Sequence, residues 1–118
     1  MFTIKVEGSF SSAHNLRGYK GKCEDLHGHN WKVEISAAGD TLDKIGMVLD
    51  FKFLKARLSK VLEPLDHAYL NNVAYFKKVN PTSENIAKYI YQKLKSGIPC
   101  LKSVTVWENV ASAATYEE

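Results

Sequence analysis

The chain is expected to be α+β, with strands from both ends sharing one antiparallel sheet and two helices covering one of its faces. Three features carry this expectation. Two stretches at the start alternate apolar and polar residues, two in the middle follow helical spacing, and two at the end alternate again. The order is therefore ββααββ, a four-stranded antiparallel sheet. The 118 residues form one domain, 1–118, of ordinary size.

Phe2, Ile4, Val6 and Phe10 share one parity, with Thr3, Lys5, Glu7, Ser9 and Ser11 on the other, so residues 2–12 form a half-buried strand. Asn15, Gly18, Gly21 and Gly28 mark residues 13–28 as a loop. Trp31, Val33, Ile35 and Ala37 oppose Lys32, Glu34 and Ser36 in a second strand over 29–37, and Gly39-Asp40 and Gly46 mark the turn after it. Phe51, Leu54, Leu58, Val61 and Leu62 then take helical spacing behind Asp50, a suitable N-cap, and Pro64 ends this helix. Asp66 to Val79 is loop or short irregular structure. Pro81 suits the first turn of a second helix carrying Ile86, Ala87, Ile90 and Leu94 on one face, closed by Gly97 and Pro99. Residues 101–109 and 111–116 are two further strands. The sheet retains edges, so assembly through them is expected.

Composition excludes several classes of function. Apolar residues make up 45% and charged residues 25%, which is globular and not disordered. A net charge of +3, with Lys and Arg scattered, gives no nucleic-acid stripe. No apolar run approaches the roughly 20 residues of a membrane span. Met1 to Ser12 lacks an apolar signal core, so the expected compartment is the cytoplasm. Two cysteines, Cys23 and Cys100, make no disulfide framework, and Cys100, beside Pro99, fits an inert thiol.

Three of the four histidines stand out. His27 and His29 extend the inward parity of Trp31, Val33 and Ile35, and His14 extends that of Val6 and Phe10. If these strands pair antiparallel, the exit of the first lies beside the entry of the second, and the three imidazoles converge. A His-x-His pair sets two rings on one side of a strand about 7 Å apart at the backbone, with Gly28 leaving room between them. Three neutral imidazoles suit a catalytic zinc with an open position. Ordinary hydrogen-bonded histidines are the alternative. Cys23, four residues before His27, is a fourth ligand, a low-pKa thiolate base, or a buried thiol. Asp66 can orient His67 for acid–base work, although neighbours on an extended segment point to opposite sides. Glu108 continues the apolar face of Val104 and Val106. A carboxylate there needs a partner, such as a ligand edge with two adjacent N–H donors, unless the strand ends and it reaches water.

Together these blocks resemble the 6-pyruvoyltetrahydropterin synthase superfamily. The resemblance is carried by Cys23-Glu-Asp-Leu-His27-Gly-His29-Asn, Leu65-Asp66-His67-Ala-Tyr-Leu-Asn71, Asn80-Pro81-Thr82-Ser83-Glu84-Asn85 and Trp107-Glu108, in the family's order. It implies the tunnelling fold, with sheets joined into a barrel as a trimer and two trimers stacked as a homohexamer. Active sites then lie between subunits. It implies zinc on His14, His27 and His29, and a catalytic Cys23. It also implies an Asp66–His67 pair supplied by a neighbouring subunit, a pterin-anchoring Glu108, and Thr82 and Ser83 lining the pterin pocket. The three residues between Cys23 and His27 resemble the 6-carboxytetrahydropterin synthases of the queuosine and 7-deazaguanine route, whereas pyruvoyl-forming enzymes have a longer interval.

The implied function is a zinc-dependent lyase. It would convert the small molecule 7,8-dihydroneopterin triphosphate to 6-carboxytetrahydropterin, acetaldehyde and triphosphate, with no nucleic-acid or membrane partner. Arg17, Lys20 and Lys22 are candidates for the triphosphate. The alternatives are a 6-pyruvoyltetrahydropterin synthase and a non-catalytic module in which Cys23 closes a structural zinc site.

Overall fold

The strand-forming alternation extends further than the expected limits. In the computed structural model, which describes residues 1–20 and 25–118, strand β1 spans Phe2–His14 and β2 spans His27–Gly39. They pair antiparallel along their whole length, with Phe10 opposite Trp31 and His14 opposite His27. Cys23 and Lys22 lie outside the described residues. The turn after β2 uses Gly46 at φ +88°, a backbone state that side-chain-bearing residues rarely adopt.

Helix α1 spans Phe51–Leu62, and the Asp50 carboxylate caps it by accepting from the Lys52 N–H at 2.8 Å. Leu54, Leu58 and Leu62 form its buried stripe. Gly8 lets this stripe sit directly on β1, since a Cβ there would come within 3.0 Å of the Leu58 and Leu62 methyl carbons. Helix α2 spans Ser83–Lys95 and buries Ile86, Ala87, Ile90, Tyr91 and Leu94. Its N-cap is Thr82, whose Oγ1 accepts from Asn85 N–H at 3.1 Å. Pro81 therefore stands before the cap and not in the first turn of the helix, which leaves its carbonyl free of the helix.

A 3₁₀ turn at Glu63–Leu65 follows α1, and the Asp66–Val79 segment after it holds a two-residue strand β3, Ala68–Tyr69, and short 3₁₀ turns at Leu70–Asn72 and Ala74–Lys77. Strands β4, Leu101–Asn109, and β5, Ser112–Glu117, complete the sheet. The sheet is thus five-stranded and mixed, in the order β3-β1-β2-β4-β5, and corrects the expected four-stranded antiparallel one. The extra strand runs parallel to β1, with Ser12 beside Ala68. It arises because the chain leaving α1 passes the end of β1, whose edge carbonyls and N–H groups need partners. Both helices lie on the sheet face formed by Val6, Phe10, Trp31, Val33, Ile35, Val104 and Val106, and one apolar core fills the space between.

Candidate metal centre

The pairing of β1 with β2 builds the site. His14 ends β1 opposite His27, which begins β2, and His29 stands opposite Ser12. Period-2 alternation puts all three rings on the helix-covered face, as their parity requires. Trp31, fully buried, forms the floor of the site, with the His14 and His29 rings edge-on to it at centroid distances of 5.0 and 5.2 Å.

The hydrogen bonds fix the tautomers. His14 Nδ1 lies 2.7 Å from the Pro81 carbonyl oxygen, and His27 Nδ1 lies 2.7 Å from that of Asp25. A carbonyl only accepts, so each Nδ1 carries a proton and donates it. In the neutral rings each Nε2 then presents a lone pair. Those two Nε2 atoms face each other at 2.9 Å. His29 Nε2 is buried and makes no hydrogen bond, although Glu108 Oε1 is 3.3 Å away. The same oxygen is 3.4 Å from His14 Nε2. One ligand atom from each of the four residues falls within 4.8 Å of the others. Lone pairs aimed at one another repel, and a cation at their common focus removes the conflict.

Burial pushes the His14 imidazole below its ordinary pKa, partly offset by the Pro81 hydrogen bond, and His27 lowers it further. Burial likewise lowers His29, against the pull of Glu108. Both rings are therefore held neutral at pH 7, the form that binds a metal. Imidazole nitrogens with an oxygen donor suit Zn²⁺ in a tetrahedral shell.

A second layer, which the sequence reading missed, holds the His14 end of β1. Asn71, buried, accepts from Asn15 N–H at 3.0 Å and donates to the Asn15 carbonyl at 2.9 Å. Asn80 does the same for Arg17, at 2.9 Å in both directions. Asn85 donates to the Asn80 carbonyl at 2.9 Å. The Ser12 hydroxyl donates to the Leu65 carbonyl. Asparagine in both loop blocks was the available signal, because one amide side chain can satisfy a backbone donor and acceptor together. Arg17, expected as a triphosphate contact, instead donates through Nη2 to the Phe76 and Val79 carbonyls and ties down that turn.

Asp66 and His67 are not part of the imidazole cluster of their own chain. They are fastened to the outer edge of β1. Asp66 Oδ1 accepts from Ser11 N–H at 2.9 Å, and His67 N–H donates to the Ser11 carbonyl at 2.6 Å. Asp66 lines a groove of about 490 Å³ between β1 and α1, with Glu7, Ser9, Lys55 and Glu63. Thr82 and Ser83, both half-buried, follow Pro81, the residue whose carbonyl meets His14, at the start of α2.

A helix-covered mixed sheet with three imidazoles and a carboxylate focused at one end defines an α+β protein with a cluster able to hold a metal ion. The model of the family 6-pyruvoyl tetrahydropterin synthase matches residues 3–118. A 6-carboxy-5,6,7,8-tetrahydropterin synthase of Synechocystis sp. is 43% identical over 122 residues, covering 98% of this chain and 93% of the relative. One from Haemophilus influenzae is 35% identical, with both chains fully covered. The structure of Caenorhabditis elegans 6-pyruvoyl tetrahydropterin synthase superposes with a TM-score of 0.91 at 35% identity, covering 99% of this chain and 95% of that one. The chain belongs to the 6-pyruvoyl tetrahydropterin synthase family.

Proposed function

We propose that this protein is a zinc-dependent lyase converting 7,8-dihydroneopterin triphosphate and one water to 6-carboxytetrahydropterin, with release of acetaldehyde and triphosphate, in queuosine and 7-deazaguanine biosynthesis. The observation that carries it is the focus of His14, His27 and His29 beside Glu108, in a chain whose relatives include enzymes named for the 6-carboxy product. Zinc on the three imidazoles would polarise the hydroxyl and carbonyl oxygens of the substrate side chain and acidify the neighbouring C–H bonds.

The remaining work falls to side chains. Cys23, as a thiolate, removes the proton from the side-chain carbon. Asp66 orients His67, which returns a proton from the other side. Because this pair sits on the outer edge of β1, it serves the site of a neighbouring subunit. Glu108 grips the 2-amino and ring N–H edge of the pterin and so orients the reacting side chain. Thr82 and Ser83 line the pocket at the start of α2.

Such sharing requires assembly. Among the described residues, the outer edge of β1 before Ser12 and that of β5 have no strand partner. Joining them between copies would close the barrel of a trimer, and two trimers would make the homohexamer. Among the described residues no helix is long and apolar enough to cross a membrane. The cytoplasm is the compartment we propose.

A 6-pyruvoyl product is the second reading. It is favoured by the close superposition on the Caenorhabditis elegans enzyme of that name. Incubating zinc-loaded protein with 7,8-dihydroneopterin triphosphate and reading products by mass spectrometry separates the two. A 6-carboxy pterin with acetaldehyde supports the proposal. A 6-pyruvoyl pterin without acetaldehyde replaces it.

A further inference from the structure

We infer that Glu108 is the fourth ligand of the substrate-free metal centre, closing it until substrate binding displaces the carboxylate. The inference rests on the three-imidazole centre proposed above. In a tetrahedral shell with bonds of about 2.0–2.2 Å, neighbouring ligand atoms lie about 3.3–3.6 Å apart. Glu108 Oε1 is 3.4 Å from His14 Nε2 and 3.3 Å from His29 Nε2. That is the edge length of such a shell, reached by one oxygen on two separate imidazoles. His29 Nε2 nevertheless makes no hydrogen bond, so it and the carboxylate do not satisfy each other directly. A cation between them satisfies both.

The backbone at Glu108 is shaped for this. In the β4–β5 ladder Trp107 faces Ala113 and Asn109 faces Ser112, so Glu108 is the extra residue of a bulge. Bulges re-aim a side chain and release it from the ladder. The side chain is 28% exposed, which leaves it room to move. Its two tasks exclude each other. The amino and ring N–H edge of a pterin lies across the bicycle from the side chain that must meet the metal. One carboxylate cannot hold that edge and the same metal together, so binding of the pterin exchanges Glu108 from cation to substrate. A closed resting centre also keeps the metal tightly held when no substrate is present.

The test is metal binding by the full chain. Chelator-stripped protein is titrated with Zn²⁺ against a chromophoric competitor, and the Co²⁺-substituted protein is examined by visible absorption. Glu108→Gln is expected to weaken Zn²⁺ binding by about 10- to 100-fold and to shift the Co²⁺ bands, because an anionic ligand is lost. Should that variant fold poorly by circular dichroism, Glu108→Asp carries the same expectation, since it keeps the charge but withdraws the oxygen by one methylene. Unchanged affinity and bands in the folded variant would overturn the inference. So would a sulfur-to-cobalt charge-transfer band that vanishes in Cys23→Ser, which would make the thiolate the fourth ligand. Metal retained at full affinity by His27→Ala would instead overturn the three-imidazole centre itself.

Discussion

His67 Nδ1 lies 3.1 Å from the Oδ1 of Asp66, its immediate neighbour in the chain. Successive residues on an extended segment point apart, and this pair meets only because His67 adopts φ +52°. That conformation costs on the order of 1 kcal/mol for a residue with a Cβ. The backbone bonds of both residues to Ser11 hold it in place. The His67 ring itself is 83% exposed. An imidazole aimed outward, already paired with its carboxylate, is what a site completed by another subunit requires.

The Asp66 carboxyl is held below the usual carboxylate range chiefly by the Ser11 N–H, which outweighs the opposing effect of desolvation, with a smaller pull from the His67 charge. A depressed folded-state pKa means the interaction is fully present above the ordinary carboxylate range. It is lost as pH falls through the lowered value. A carbon-13 NMR titration is expected to show Asp66 titrating at more acid pH than an ordinary aspartate. His67→Ala should move its midpoint only part of the way back, because the Ser11 bond remains. A full return would assign the effect to the imidazole alone.

Cys23→Ala and His67→Ala are each expected to abolish turnover. If Cys23 and His67 of one site come from different subunits, mixing the two variants under dissociating conditions and reassembling them should restore activity to about a quarter of wild type, the share of sites receiving both intact residues. Continued silence of the mixture, with assembly confirmed by light scattering, would place both residues in one chain's site.

Removing the metal distinguishes a catalytic centre from a structural one. Most of the core, including Ile35, Leu54, Leu58, Phe76 and Ile90, is built from apolar side chains alone. Chelator-treated protein is therefore expected to keep its circular dichroism spectrum and lose its activity. Unfolding on chelation would favour the structural-zinc module. His27→Ala should bind far less zinc by elemental analysis and lower turnover by more than about a thousandfold.

Asn71→Ala should destabilise the chain by about 2–3 kcal/mol in urea denaturation, since it removes two hydrogen bonds and strands both backbone groups of Asn15. Asn71→Asp keeps the acceptor but sets a carboxylate oxygen against the Asn15 carbonyl, so it should also be destabilising. Equal stability of Asn71→Ala and wild type would show that water replaces the clamp.

The convergence of the three imidazoles was legible because local alternation and strand pairing determine it. Alternation set the face of His14, His27 and His29, and antiparallel pairing of β1 and β2 brought them to one end of the sheet. The caps of α1, the buried stripes of both helices and the last two strands follow from equally local patterns. The parallel strand at Ala68–Tyr69 was not legible, because it has no pattern of its own and exists only where the chain returns along β1. Nor was the place of Glu108, which depends on a bulge between two strands.

By itself the sequence determined the α+β class, the covered face of the sheet and the residues that supply the imidazoles, since these depend on side-chain period and residue chemistry within a few positions. Only the tertiary structure decided which Nε2 atoms meet and which carbonyls orient them. It likewise decided that Asp66 and His67 stand apart from their own chain's imidazole cluster. Those outcomes depend on backbone groups brought together across some fifty to seventy positions, as between Ser11 and Asp66 or His14 and Pro81, and a carbonyl has no letter in the sequence.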